Sequence, residues 1–260
     1  MSEEQEGTAL RDLFDATEAE MLAHMKLHQK RIMVTGSSNG LGREILNALV
    51  DTGHIVYEFD KECGDDVCRP EFTYTRGEGA IGEAPVIDML INCAGVNYTG
   101  WLPDVSEQTW NTVMDTNVKG IFKMVQWLYQ GLAANKGTIL NIVSNASHMP
   151  MTCSAAYNAS KGAAHILTLQ MARELTRKHG ITVFGISPNK LAGTKMSNDI
   201  ERQVMRDRGW TAEFAAEYQR NALLTGEETD PKQLAEFIAY LLSSKERHKY
   251  LSGCILPYGA

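Results

Sequence analysis

From Arg31 onward, short apolar runs alternate with stretches of helical periodicity. This alternation restricts the fold more than any other feature of the chain. The runs are 31–35, 54–59, 86–92, 138–144, 182–186 and 254–256. Helical patterns occupy most of the intervals, notably 43–51, 106–115, 117–134, 155–179 and 231–243. Strands buried on both faces read as continuous apolar runs, and helical crossovers between them make neighbouring strands parallel. The expectation is a single doubly wound α/β domain over 31–260, with a parallel sheet of about seven strands and helices on both faces. A chain of 260 residues is long enough to bury such a core without disulfides or metal.

Residues 1–30 differ from the rest. They hold seven acidic and three basic side chains, and Leu10, Leu13, Phe14, Met21 and Met25 recur at helical steps. That pattern predicts an amphipathic helical extension. It would pack on its own domain or grip another subunit.

Charge and cysteine usage exclude several classes. With 25 basic and 32 acidic residues, the net charge of −7 gives no footprint for nucleic acid. No apolar stretch is long enough for a membrane span, and the N-terminus lacks the order of a secretory signal. The five cysteines are odd in number and form no CxxC. They read as reduced thiols of a cytoplasmic protein. The seven histidines show no ligand spacing, so no metal is expected.

Between the first strand and first helix lies Thr35-Gly36-Ser37-Ser38-Asn39-Gly40-Leu41-Gly42. Glycines here permit a tight turn and a close approach of backbone to a pyrophosphate. The following helix offers unpaired N–H groups and the positive end of its dipole. The spacing is GxxxGxG rather than GxGxxG. Asp60 follows the second strand, 18 residues beyond Gly42. An acid there accepts hydrogen bonds from ribose hydroxyls and repels a 2′-phosphate. This favours NAD(H) over NADP(H), although the adjacent Lys61 softens the repulsion.

A second constellation lies further along. Tyr157 and Lys161 are four apart at the start of a helical pattern and share one face. A nearby ammonium stabilises phenolate and lowers the phenol pKa. Ser144 ends a strand 13 residues before Tyr157, so its hydroxyl can hold a substrate oxygen. Ser147 is its rival, deeper in the loop.

Together these segments resemble the short-chain dehydrogenase/reductase family, of the type with TGxxxGxG and YxxxK. The resemblance runs from about 31 to 260. Asn92-Cys93-Ala94-Gly95 resembles that family's NNAG segment, Asn117 its helix asparagine, and Pro188 the proline of its PG loop. Residues 252–256 resemble its TGQxxxVDG ending. The resemblance implies a Rossmann-type fold and interconversion of a secondary alcohol and a ketone by hydride transfer. It implies Tyr157 as general acid/base and Lys161 as the residue that tunes it and binds the nicotinamide ribose. Ser144 would orient the substrate oxygen, and Asn117 would hold a water in a proton relay. Gly36, Ser38, Asn39 and Leu41 would line the pyrophosphate, and Asn92, Ala94, Gly95 and Pro188 would also border the cofactor. A homodimer or homotetramer, built through the helices near 106–134 and 155–179, is implied as well. Two other readings remain open: an NADPH-dependent biosynthetic ketoreductase, and a catalytically idle dinucleotide-binding or assembly protein.

Departures from the family pattern are specific. The interval from Asp60 to Asn92 is short, so a helix and part of a strand must be reduced there. Asp66-Val67 is a candidate for the family's adenine contact. Pro188-Asn189 replaces Pro-Gly, with Asn able to accept a positive φ, and Thr194 falls one residue late. The substrate, a small molecule, is expected to meet 96–101, 145–153 and an insertion at about 190–228. Within that insertion Trp210, Phe214 and Tyr218 suit either core packing or a lid. His148 reads as a loop residue or a second acid.

Overall fold

The computed structural model of the protein describes residues 29–73 and 84–259. The proposed helical extension at 1–30 thus lies almost wholly outside the described residues. The strands are β1 (Arg31–Thr35), β2 (Ile55–Phe59), β3 (Met89–Asn92), β4 (Thr138–Ile142), β5 (Thr182–Pro188) and β6 (Ile255–Tyr258). They form one parallel sheet in the order β2-β1-β3-β4-β5-β6. The sheet has six strands among the described residues rather than about seven. The short interval after β2 is the reason. Its described part holds only a 3₁₀ turn at Lys61–Cys63 and one helical turn at Pro70–Thr73. Among the described residues β2 is thus one edge of the sheet and β6 the other.

The principal helices are α1 (Gly40–Asp51), α2 (Glu107–Met114), α3 (Gly120–Ala134), α4 (Ala155–His179), α5 (Lys195–Arg208), α6 (Ala212–Ala222) and α7 (Pro231–Leu242). Their boundaries follow local chemistry. Ser106, Thr194, Thr211 and Asp230 cap the N-termini of α2, α5, α6 and α7 with side-chain oxygens. Gly180 and Gly209 end α4 and α5 in the left-handed conformation.

Side-chain alternation along the strands divides the core in two. Ile32 and Val34 point to one face, where α1 and α7 bury Ile45, Leu49, Leu234 and Ile238. Met33 and Leu90 point to the other, against Ile121, Met124 and Leu128 of α3 and Ala164 and Met171 of α4. Between the layers run polar bridges. Asn92 Nδ2 donates to Asn141 Oδ1 at 2.8 Å, and Asn141 Nδ2 donates to Thr168 Oγ1 at 2.9 Å. These buried groups are paired, so they fix strand register without an orphaned amide. The chain reverses direction across the sheet between β1 and β3, which opens a crevice at their carboxyl ends.

Candidate active site

The crevice is built first by Thr35, the last residue of β1. Its Oγ1 accepts from the N–H groups of Cys93 and Ala94, each at 3.0 Å. The two strand ends are thereby tied together. Gly36 has φ of 71°, and a Cβ there would stand 2.8 Å from Ala94 Cα. A Cβ on Gly42 would stand 2.0 Å from Gly36 O. Neither position admits a side chain, and both leave bare backbone at the N-terminus of α1. Ser38, Asn39 and Leu41 complete the turn, with Leu41 buried beneath it. Such a cradle fits a pyrophosphate.

Asp60 lies at the lip of this turn. Its Oδ2 accepts from Ser38 N at 3.2 Å and its Oδ1 from Glu62 N at 2.9 Å. Asp65, a residue without a role in the sequence reading, is buried and accepts from Asp60 N. Asp66-Val67 is differently engaged. Asp66 Oδ1 accepts from Cys68 N, and Val67 is buried against the start of α3, where a Cβ on Gly120 would meet it at 2.7 Å.

The chemical end of the crevice gathers residues distant in sequence. The Ser144 hydroxyl hydrogen-bonds the Tyr157 phenol, while Ser144 Oγ accepts from Ala146 N at 3.2 Å. Ser147 is instead hydrogen-bonded to His148 Nδ1 and His165 Nδ1, at 3.1 and 3.2 Å. Ser144 is thus the serine that joins Tyr157, and His148 is held by its neighbour.

Lys161 is buried, and its Nζ donates to Ile142 O at 2.9 Å and sits 5.8 Å from the Tyr157 ring centroid. Burial pushes Lys161 down to about 8. Burial is also the largest influence on Tyr157 and raises its phenol above the ordinary value, with the Ser144 hydrogen bond opposing. The i,i+4 spacing predicts instead that Lys161 lowers it. The ammonium is turned toward the Ile142 carbonyl, and desolvation prevails. Cys93 borders both groups, and burial pushes its thiol up to about 12, so it stays protonated.

Asn117 lies in a π-helical turn, Asp115–Lys119, between α2 and α3. Its Oδ1 accepts from Val96 N at 2.8 Å, and its Nδ2 donates to Val96 O and Ser160 Oγ at 2.9 Å each. The turn directs one buried amide at both the β3 loop and the helix carrying Tyr157. Gly95 lies against this pair, since a Cβ there would be 3.4 Å from Asn117 Oδ1 and 3.9 Å from Lys161 Nζ. Asn92 takes part in the buried bridge below rather than lining the opening.

Pro188 closes β5, but Asn189 does not take a positive φ. Its N–H donates to Tyr258 O, so the ladder with β6 continues one residue further. Thr194, despite its late position, lies 3.7 Å from the point where a Gly40 Cβ would be. Asn158, also unassigned from sequence, donates through Nδ2 to Ala146 O and Met149 O and shapes the 145–153 loop.

The fold and these groupings define a nucleotide-cradling α/β protein with a serine, a tyrosine and a lysine at the sheet's carboxyl edge. Residues 64–205 match the family model described as short chain dehydrogenase, and the chain belongs to that family. It is an oxidoreductase of the kind that acts on CH–OH groups with NAD(P). The chain is 28% identical over 249 residues to a 3-oxoacyl-(acyl-carrier-protein) reductase of Staphylococcus epidermidis, covering 86% of this chain and 95% of that one. It is 28% identical over 254 residues to a sorbitol-6-phosphate 2-dehydrogenase of Klebsiella pneumoniae, covering 88% and 94%. Among solved structures it resembles a putative NAD(P) dependent gluconate 5-dehydrogenase of Beutenbergia cavernae with bound NADP. That match has a TM-score of 0.72 at 20% identity and covers 88% and 94% of the two chains.

Proposed function

We propose that the protein interconverts a secondary alcohol and a ketone with NAD(H), using Tyr157 as general acid and base. The observation that carries this reading is the convergence of Ser144, Tyr157 and Lys161 beside a side-chain-free glycine cradle. When bound, the nicotinamide cofactor supplies or accepts the hydride. Gly36, Ser38, Asn39, Leu41 and Asp60 would hold its phosphates and adenosine ribose. Ala94, Gly95, Lys161 and Pro188 would border the rest.

The chain's own residues handle the proton. In the reducing direction the neutral phenol of Tyr157 donates to the developing alkoxide. Burial favours that neutral form. Ser144 donates to the same substrate oxygen and holds it in line. Lys161, depressed to about 8, exchanges protons near neutral pH and can restore the Tyr157 proton. Asn117 would stabilise the relay by holding Val96 and Ser160 in place.

Asp60 at the lip of the glycine turn supports the NAD(H) preference, because a carboxylate there would repel a 2′-phosphate. The gluconate dehydrogenase neighbour carries NADP, and Lys61 is exposed beside Asp60. Calorimetric titration with NADH and with NADPH decides between them. We expect tighter NADH binding, and Asp60→Ala to weaken NADH about tenfold and admit NADPH. Tighter NADPH binding by the unaltered protein would replace the NAD(H) assignment with the NADPH-dependent reductase. Segment 190–228 would cover the substrate, residues 1–30 would form the helical extension, and the protein would assemble as a homodimer or homotetramer in the cytoplasm.

A further inference from the structure

We infer that the distal end of the substrate cleft is an oxyanion subsite built on Arg208, and that the substrate carries a carboxylate or phosphate remote from its reacting carbon. The inference rests on the reading of 190–228 as the cleft cover. α5 begins at Thr194, beside the glycine cradle, and its 14 residues extend about 21 Å. Its far end meets two loops that flank the catalytic residues. Thr99 Oγ1 donates to Asp207 Oδ2 at 2.8 Å, and Trp101 Nε1 donates to Asp207 O at 3.1 Å. Arg208 Nη2 donates to Thr152 O at 2.6 Å, five residues before Tyr157. The helix end thus bridges the 97–101 loop and the 149–153 loop.

Arg208 is the cation of this bridge without an acid. Among the described residues it makes no ion pair, and its Nε is buried with no hydrogen-bond partner. The guanidinium lies 4.7 Å from the Trp210 ring centroid, so the plane is held on an aromatic platform. Trp210 is in turn packed by Phe214 and Tyr218, at 5.0 and 4.8 Å. Asp207 does not compete, because Arg206 and Thr99 already occupy its carboxylate. Leaving an arginine N–H unpaired is costly, and an acceptor supplied by a ligand at the guanidinium offsets that cost. A guanidinium held by Trp210 and Thr152 O, with no acid of its own among the described residues, favours a carboxylate or phosphate over a neutral polar group.

The test uses the full chain with the oxidised cofactor present, so that ketones bind without turning over. Keto acids of increasing length, beginning with levulinate, are titrated against their methyl esters, and dihydroxyacetone phosphate against dihydroxyacetone. One anion is expected to bind about 10- to 100-fold more tightly than its neutral partner. The pair with the larger difference identifies carboxylate or phosphate. Arg208→Leu should abolish that difference and leave the neutral ligand unchanged, and Arg208→Lys should retain part of it. Inorganic phosphate should compete with the anion and not with the ester in the unaltered protein, a readout that needs no variant. Equal binding of each anion and its neutral partner, or equal weakening of both by Arg208→Leu, would overturn the subsite. Reduction of neutral ketones in that case would leave the proposed oxidoreductase reading standing.

Discussion

Gly42 is the residue where the backbone itself forms the site. A methyl group there would lie 2.0 Å from Gly36 O, too close for any rotamer to relieve. Gly42→Ala is therefore expected to open the turn, lowering stability by about 2 kcal/mol or more and abolishing cofactor binding. Thermal unfolding and calorimetry on the same sample check both. Tyr157 and Lys161 make a second case, since burial pushes the phenol up and the ammonium down. Reduction consumes the Tyr157 proton and oxidation requires its removal. Ketone reduction should thus fall, and alcohol oxidation rise, as pH increases through the Lys161 value of about 8. A kcat/KM for reduction that rises, or one for oxidation that falls, over that range would contradict the assignment.

The site was legible in sequence wherever a function needs a residue type at a fixed spacing. Ser144, Tyr157 and Lys161 are of that kind, as is the GxxxGxG turn. The bridges that hold them were not legible. Thr35 meets Cys93 and Ala94 across 58 and 59 residues, and Asn117 meets Ser160 across 43. Such pairs depend on strand register, which no local pattern encodes. Arg208 was not legible for a similar reason, because its carbonyl partner Thr152 lies 56 residues away, although Trp210 is only two residues on.

At the scale of elements, the helix at Lys245–His248 pins the end of α7 to the sheet. His248 is fully buried, with Nδ1 against Leu241 O at 2.9 Å and Nε2 against Thr138 Oγ1 at 3.0 Å. Its ring stacks on Phe184. Burial lowers its pKa below 6.5. The unfolded chain therefore binds a proton that the folded chain refuses. Stability from this residue is complete above pH 6.5 and declines as pH falls below it. Urea midpoints at descending pH should show that loss, and His248→Ala should both destabilise by about 2–4 kcal/mol and flatten the acid limb. An unchanged acid limb in the variant would assign the loss to other groups. The strand count also belongs to this scale. The described residues hold six strands where about seven were expected, and the short interval after Asp60 is the place where the sequence itself signals a reduction.

For the whole molecule, α2, α3 and α4 lie on one side of the sheet and expose Trp110, Phe122 and Ile166, the last at 64%. Exposed large apolar groups on these helices are where the proposed assembly would bury surface. We expect sedimentation to report a dimer or tetramer, and Phe122→Glu with Ile166→Glu to release monomers. A monomer from the unaltered chain would remove this assembly.

The whole account turns on Tyr157. Tyr157→Phe keeps the ring and removes only the hydroxyl that Ser144 meets. Cofactor affinity should stay within about twofold of the unaltered protein, and turnover of any accepted alcohol or ketone should fall by about 100- to 10,000-fold. Turnover persisting in the variant would contradict the central claim.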